Sequence, residues 1–135
     1  MKALSVKQPW ASLIMTGYKE VEIRTWKTDY RGQLVIHTGT RGDSEAVDKF
    51  WGKDKSLIEK TDLPRGCILG KIELVDIVEL YAPNWSDWKC YHRVSGVWPG
   101  HPLFAWWLSN PIKLKNPIPY KGQQGLFNIP DGLIP

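Results

Sequence analysis

The chain has 135 residues, a formal net charge of +4, eight tryptophans and two cysteines, with 42% hydrophobic and 24% charged residues. That is one domain's worth of chain with an ordinary apolar content, so residues 1–135 are expected to form a single globular domain. No apolar run reaches membrane-spanning length, no signal-peptide pattern opens the chain and two cysteines make no disulfide framework; a membrane partner and export are not expected, and a cytoplasmic location is.

The first elements carry most of the information. Lys2 to Val6 reads as a strand. Pro9 to Thr16 reads as a short helix: Pro9 suits the first turn, Trp10, Leu13 and Ile14 recur at i, i+3, i+4, and Gly17 supplies a left-handed C-cap. So short a helix must draw its stability from packing its apolar face, which places Lys7 and Gln8 at its N-terminus, an end that favours anions. After Gly17 the period becomes two. Val21 and Ile23 fall on one face of a strand and Glu20, Glu22 and Arg24 on the other, with Lys19 at the entry, so the charged face is either solvated or the wall of a polar cleft. The turn Trp26 to Arg31 sets Trp26 and Tyr30 beside Lys27 and Arg31; it serves either as a stacking platform for bases or as a cover for one end of the fold.

Gly32 to Thr38 is a strand with a buried stretch Leu34 to Ile36, and His37 near its end reads as a structural hydrogen-bonder. Asp43 or Ser44 caps a predicted helix through Trp51, and a further helical turn is expected around Leu57 and Ile58 within Gly52 to Asp62. Cys67 to Leu80 is the longest strand pattern, with a bulge near Val75 and Asp76, close backbone approach at Gly70, and Glu73 as a candidate second carboxylate. Tyr81 to Pro102 reads as a long irregular aromatic segment, Trp85 and Trp88 plugging the fold and Tyr91, Arg93 and Trp98 forming a lid. Leu103 to Leu108 reads as a central strand buried on both faces, broken by Asn110-Pro111, followed by extended Ile112 to Tyr120, the loop Lys121 to Gly125 and a final strand Leu126 to Ile129. Cys90, His92 and His101 lack metal-ligand spacing, so no metal and no cofactor is expected.

Charge is unevenly spread. Met1 to Arg41 holds seven Lys/Arg against three Asp/Glu, a balance of 7 − 3 = +4, and from Gly42 onward there are eleven of each. All the net charge therefore sits beside the charged strand, the footprint expected of a polyanion partner.

The pattern running from Leu4 to Trp26, LSVKQPWASLIMTGYKEVEIRTW, then Tyr30, Arg31, Gly32, Leu34, Ile36 and His37, resembles the ASCH (activating-signal-cointegrator homology) family of the PUA-like superfamily. Shorter matches follow at Gly66 to Gly70, Asp76, Asn110-Pro111 and Pro119 to Gly122. The resemblance implies an α+β fold: a small PUA-like β-barrel of about five to six strands with two or three flanking helices, and a cleft lined by the Gly17-Tyr18-Lys19-Glu20-Val21-Glu22-Ile23-Arg24 segment. Most families of this fold touch RNA or other nucleic acid. One similar branch hydrolyses acetylated cytidine with a Lys, a Thr and a distant Glu; Lys19 matches that Lys, but Glu22 stands at the Thr position, and a carboxylate is not a hydroxyl nucleophile.

The first reading is therefore a nucleic-acid-binding domain for RNA or single-stranded DNA. Lys7, Gln8, Lys19, Arg24, Lys27, Arg31 and Lys121 would contact the strand, with Trp26 and Tyr30 stacking bases. The alternative is a small hydrolase, amidohydrolase or ribonuclease, acting on a modified nucleoside or RNA through Lys19 and Glu22. A protein-interaction module is the third reading, and a monomer is expected.

Overall fold

The computed structural model describes residues 1–51, 56–60 and 63–135. Period-two segments give six strands, β1 (Lys2–Ser5), β2 (Val21–Arg24), β3 (Gly32–Thr38), β4 (Cys67–Leu80), β5 (Leu103–Pro119) and β6 (Leu126–Asn128), in one sheet of order β2-β5-β4-β3-β1-β6. Neighbours are antiparallel except β1 and β3, whose parallel pairing requires a crossover. The helix α1 (Trp10–Met15) and β2 occupy that crossover.

All six residues of α1 are buried, and five of them, all but Ser12, form the main core on one face of the sheet with Leu34, Ile36, Leu69, Leu74 and Trp106. The other face carries a smaller cluster of Ala3, Val35, Ile68, Phe127, Ile129 and Ile134, so β3 is covered on both sides by alternate residues. Gly70 makes the curvature possible, since a Cβ there would stand 2.2 Å from the Ile112 carbonyl oxygen.

The fold is α+β, and the sheet curls like a barrel without closing. β2 and β6 are its edges and share no ladder. An Nη2 donor of Arg24, at the end of β2, instead reaches the carbonyl of Ser5 at the end of β1, the strand beside the other edge, and bridges the seam there.

Several expectations are corrected. The helix predicted from Asp43 or Ser44 through Trp51 is only α2 (Ala46–Lys49), because Phe50 turns extended to bridge Val94 and is buried there. The turn around Leu57 and Ile58 is α3 (Ser56–Lys60), and the rest of that predicted stretch, 52–55 and 61–62, lies outside the described residues. Asn110-Pro111 does not break β5: Asn110 takes φ 56°, and the two residues fall at a register shift of the β4–β5 ladder, between Lys71 opposite Ile112 and Glu73 opposite Ser109, where a missing donor costs no ladder bond. Nor is the first half of β5 buried on both faces, since Trp107 is 45% exposed. The segment Tyr81 to Pro102 is irregular only in its second half: up to His92 it holds α4 (Ala82–Trp85), a 3-10 turn (Ser86–Trp88) and α5 (Lys89–His92). Among the described residues no helix is long and apolar enough to cross a membrane.

Candidate nucleic-acid interface

The unclosed seam is an open cleft of about 930 Å³. Ser5, Val6 and Lys7, at the end of β1 and just beyond it, form one wall; Glu22, Ile23 and Arg24 of β2 form the other, continued by Trp26. Trp10 and Lys19 also line it, together with the turn Gly39 to Arg41, Val94 and the loop Gly122 to Gly125. Four cationic side chains (Lys7, Lys19, Arg24, Arg41) thus share the space with one carboxylate, Glu22, and two indole rings.

Strand pairing sets the charged wall. Glu22 is registered opposite Trp106 and Arg24 opposite Phe104, so both charges project from the same side of β2. Glu22 Oε2 lies 3.1 Å from Arg24 Nη2, and Glu22 Oε1 accepts the Ile23 N–H at 3.2 Å. Trp106, fully buried, also donates its indole N–H to the Trp26 carbonyl at 3.2 Å and meets the Trp26 ring edge-on at 4.8 Å between centroids. One buried residue therefore supports the indole of this wall and is the strand partner of Glu22.

Lys19 is 2% exposed; its Nζ lies 5.1 Å from the centre of the Trp10 ring and donates to the His92 carbonyl. Burial lowers its pKa to about 8, with Glu22 pulling it upward and Arg24 and Arg93 pushing it down. The His92 ring is buried and its pKa falls to about 4, first through desolvation and then through Lys19. Its Nδ1 accepts the Val94 N–H at 2.9 Å, so its proton rests on Nε2, facing the Trp85 carbonyl at 3.3 Å.

The opposite loop is pinned from beneath. His37 Nε2 donates to the Tyr120 carbonyl at 2.7 Å, which leaves Nδ1 to accept the Ser5 hydroxyl at 2.8 Å. Gly122 lies over that pair: a Cβ would come within 2.4 Å of the imidazole and 2.7 Å of Ser5 Oγ. His37 has the structural role expected of it.

Of the residues singled out from sequence, Lys7, Lys19, Glu22, Arg24 and Trp26 meet in the cleft. The others lie elsewhere. Gln8 is 1% exposed; its Nε2 donates to Ser12 Oγ and to the Pro64 carbonyl, while Oε1 accepts the Ser12 N–H. That bond, with Ala11 N–H to the Lys7 carbonyl, also uses the donors expected to receive an anion at the start of α1. Lys27 lies 5.9 Å from the centre of the Phe104 ring, Tyr30 donates to the Gln33 carbonyl, and Arg31 bonds the Thr28 and Tyr30 carbonyls with Asp76 at 3.5 Å. Lys121 is exposed and adjoins the cleft loop without lining the cleft. Glu73 pairs with Gln33 and Ser109 and is not a cleft group.

The lid reading fails as well. Arg93 packs over the Tyr18 ring at 4.3 Å, Tyr91 sits against Trp88, Trp98 joins the cluster around Trp85, and only Val94 of this segment reaches the cleft. Sequence reasoning missed Arg41 and Trp10 as lining residues, although Arg41 was counted in the basic excess.

Residues 4–118 match the family model of the ASCH domain. The chain belongs to the ASCH domain family. Over 79 residues it is 40% identical to Activating signal cointegrator 1 of Mus musculus and, over the same length, 39% identical to that of Homo sapiens. These matches cover 54% of this chain but only 14% of either relative, so the likeness concerns a small part of those proteins. Among solved structures, an ASCH protein from Zymomonas mobilis superposes with a TM-score of 0.68 at 16% identity, covering 96% of this chain and 87% of that one. A mutant form of the same Zymomonas mobilis protein superposes with a TM-score of 0.67 at 16% identity, over 96% and 88% of the two chains. At that identity the likeness concerns the fold. The conspicuous charges of the ASCH pattern in this chain, Lys19, Glu22 and Arg24, are the charges that the seam brings together.

Proposed function

We propose that this ASCH domain binds single-stranded nucleic acid, RNA first, in the seam cleft. The observation that carries the reading is the convergence of four cations, two indoles and one carboxylate in a space of about 930 Å³. Cations track phosphates, an indole face accepts any base, and unpaired strands are the form whose bases can enter a cleft. The cleft lies in the region that carries the whole net charge.

The test is binding of fluorescent single-stranded RNA and DNA across a salt series. Wild type should bind with steep salt dependence, and the Lys19→Ala/Arg24→Ala double variant should lose it. Because both residues also hold structure, a Lys7→Ala/Arg41→Ala variant, altering two exposed cations, runs beside it. Flat binding that neither variant changes would overturn the reading.

A second reading, hydrolysis of a modified nucleoside, draws on Lys19, whose pKa near 8 makes a neutral amine accessible beside the Glu22 carboxylate. Turnover of acylated nucleosides that rises through pH 8 and vanishes in Lys19→Met would favour it.

A further inference from the structure

The cleft holds one carboxylate, and its setting is specific. Glu22 sits among cations, yet among the described residues only Arg24 pairs with it directly, and its side chain is 10% exposed at the cleft wall. A carboxylate offers about four acceptor sites. One on Oε2 faces Arg24 and one on Oε1 takes the Ile23 N–H, which leaves an acceptor direction on each oxygen. Arg24 is itself tied to the Ser5 carbonyl and β2 is laddered to β5, so both groups that hold the carboxylate are themselves fixed. A group so placed accepts and does not donate; it favours a ligand edge presenting two neighbouring N–H donors and repels one presenting carbonyl oxygens or bare ring nitrogens.

Among the four RNA bases one edge fits. Guanine presents N1–H and the N2 amine side by side, matched to the two oxygens of a carboxylate. Adenine and cytosine each place an unprotonated ring nitrogen beside their amine, and uracil sets its single N3–H between two carbonyls. The ring would lie against the half-buried Trp26, which continues the wall from Glu22 and is anchored on Trp106, while the flanking phosphates meet Lys7 and Arg41.

We infer that the cleft selects an unpaired guanine, read on its Watson–Crick edge by Glu22 and stacked on Trp26. This rests on the nucleic-acid reading above and goes further, from a class of polymer to a base.

The experiment uses fluorescein-labelled octa-uridine RNA carrying one central G, inosine, A or C, with all-U as reference, against the full chain at fixed moderate salt. A good two-point base contact is worth about tenfold or more in affinity, so the G oligomer should bind at least about tenfold tighter than all-U, with inosine, which lacks the N2 amine, falling most of the way back. In Glu22→Gln, which keeps the shape but exchanges one acceptor for a donor, the ratio of G to inosine affinity should fall to about one whatever the common change in affinity of the whole series; a merely structural role would shift all five together and keep that ratio. Equal, salt-dependent binding of all five oligomers by wild type would overturn the base assignment and leave the nucleic-acid reading standing. A G preference that survives in Glu22→Gln would overturn the role of Glu22. No binding of any oligomer would remove both.

Discussion

Two parts of this molecule are rich in tryptophan and use it for opposite ends. In the seam, Trp10 and Trp26 share space with Lys7, Lys19, Glu22 and Arg24, and some of their surface is left to the cleft. In the segment after β4 the rings face one another: Trp85 stacks on His92 at 4.3 Å and donates to the Gly96 carbonyl at 2.9 Å, and Trp88 meets Tyr91 and Trp107 edge-on at 5.9 and 6.3 Å. The difference lies in the neighbours rather than the residue type. Ring contacts occur in both, since Trp26 meets Trp106 and Trp10 lies near Phe50, but only in the seam do the rings also border charge and an open space. The two regions touch where Lys19 donates to the His92 carbonyl.

The largest expected effect would break the aromatic side of the comparison. Trp85→Ala empties a site 3% exposed and should cost about 3–5 kcal/mol in chemical denaturation, with RNA affinity unchanged in conditions where the variant remains folded. A loss of affinity without a loss of stability would mean that the aromatic wall belongs to the ligand site.

Next comes the point of contact. The folded chain holds Lys19 at a pKa of about 8 against 10.5 for the free side chain, so between those values the unfolded chain binds the extra proton and stability should rise with pH. The penalty for the buried charge, on the order of 3 kcal/mol at neutral pH, should disappear by about pH 10.5 and be absent at every pH in Lys19→Met. Denaturation midpoints at pH 7 and pH 10 for the two proteins measure it; a wild-type slope matched by the variant would reject it.

On the seam side, Trp26→Ala should weaken single-stranded RNA binding by about 1–3 kcal/mol at constant salt, the contribution of one stacked base. Equal affinities would place the base elsewhere in the cleft. The smallest effect belongs to Lys7→Ala, which should flatten the log–log salt dependence by about one unit while leaving base preference alone.

Local pattern reached a long way here. The spacing of Trp10, Leu13 and Ile14, the alternation through Val21 to Arg24 and the glycine at position 70 each reflect a contact within a few residues or a backbone demand that one residue type meets, and all three take the form expected of them. Alternation also foresaw a charged face on β2 but left open whether it met solvent or a cleft. It failed where a partner distant in sequence decides the outcome. Phe50 leaves its helix because Val94 pairs with it, and β5 runs through Asn110-Pro111 because its ladder with β4 shifts register there.

The sequence by itself determined the family, the strands and the concentration of charge before position 42, because motif spacing, period and composition are local properties. Only the tertiary structure decided which charges meet. Gln8, Lys27, Tyr30 and Arg31 lie within a few residues of the cleft lining and still point into other contacts, whereas Arg41 and the loop after Lys121 arrive there from across the chain. The physical reason is the unclosed sheet: β2 and the end of β1 come together only when the strands between them are paired, and the space they enclose belongs to no single segment.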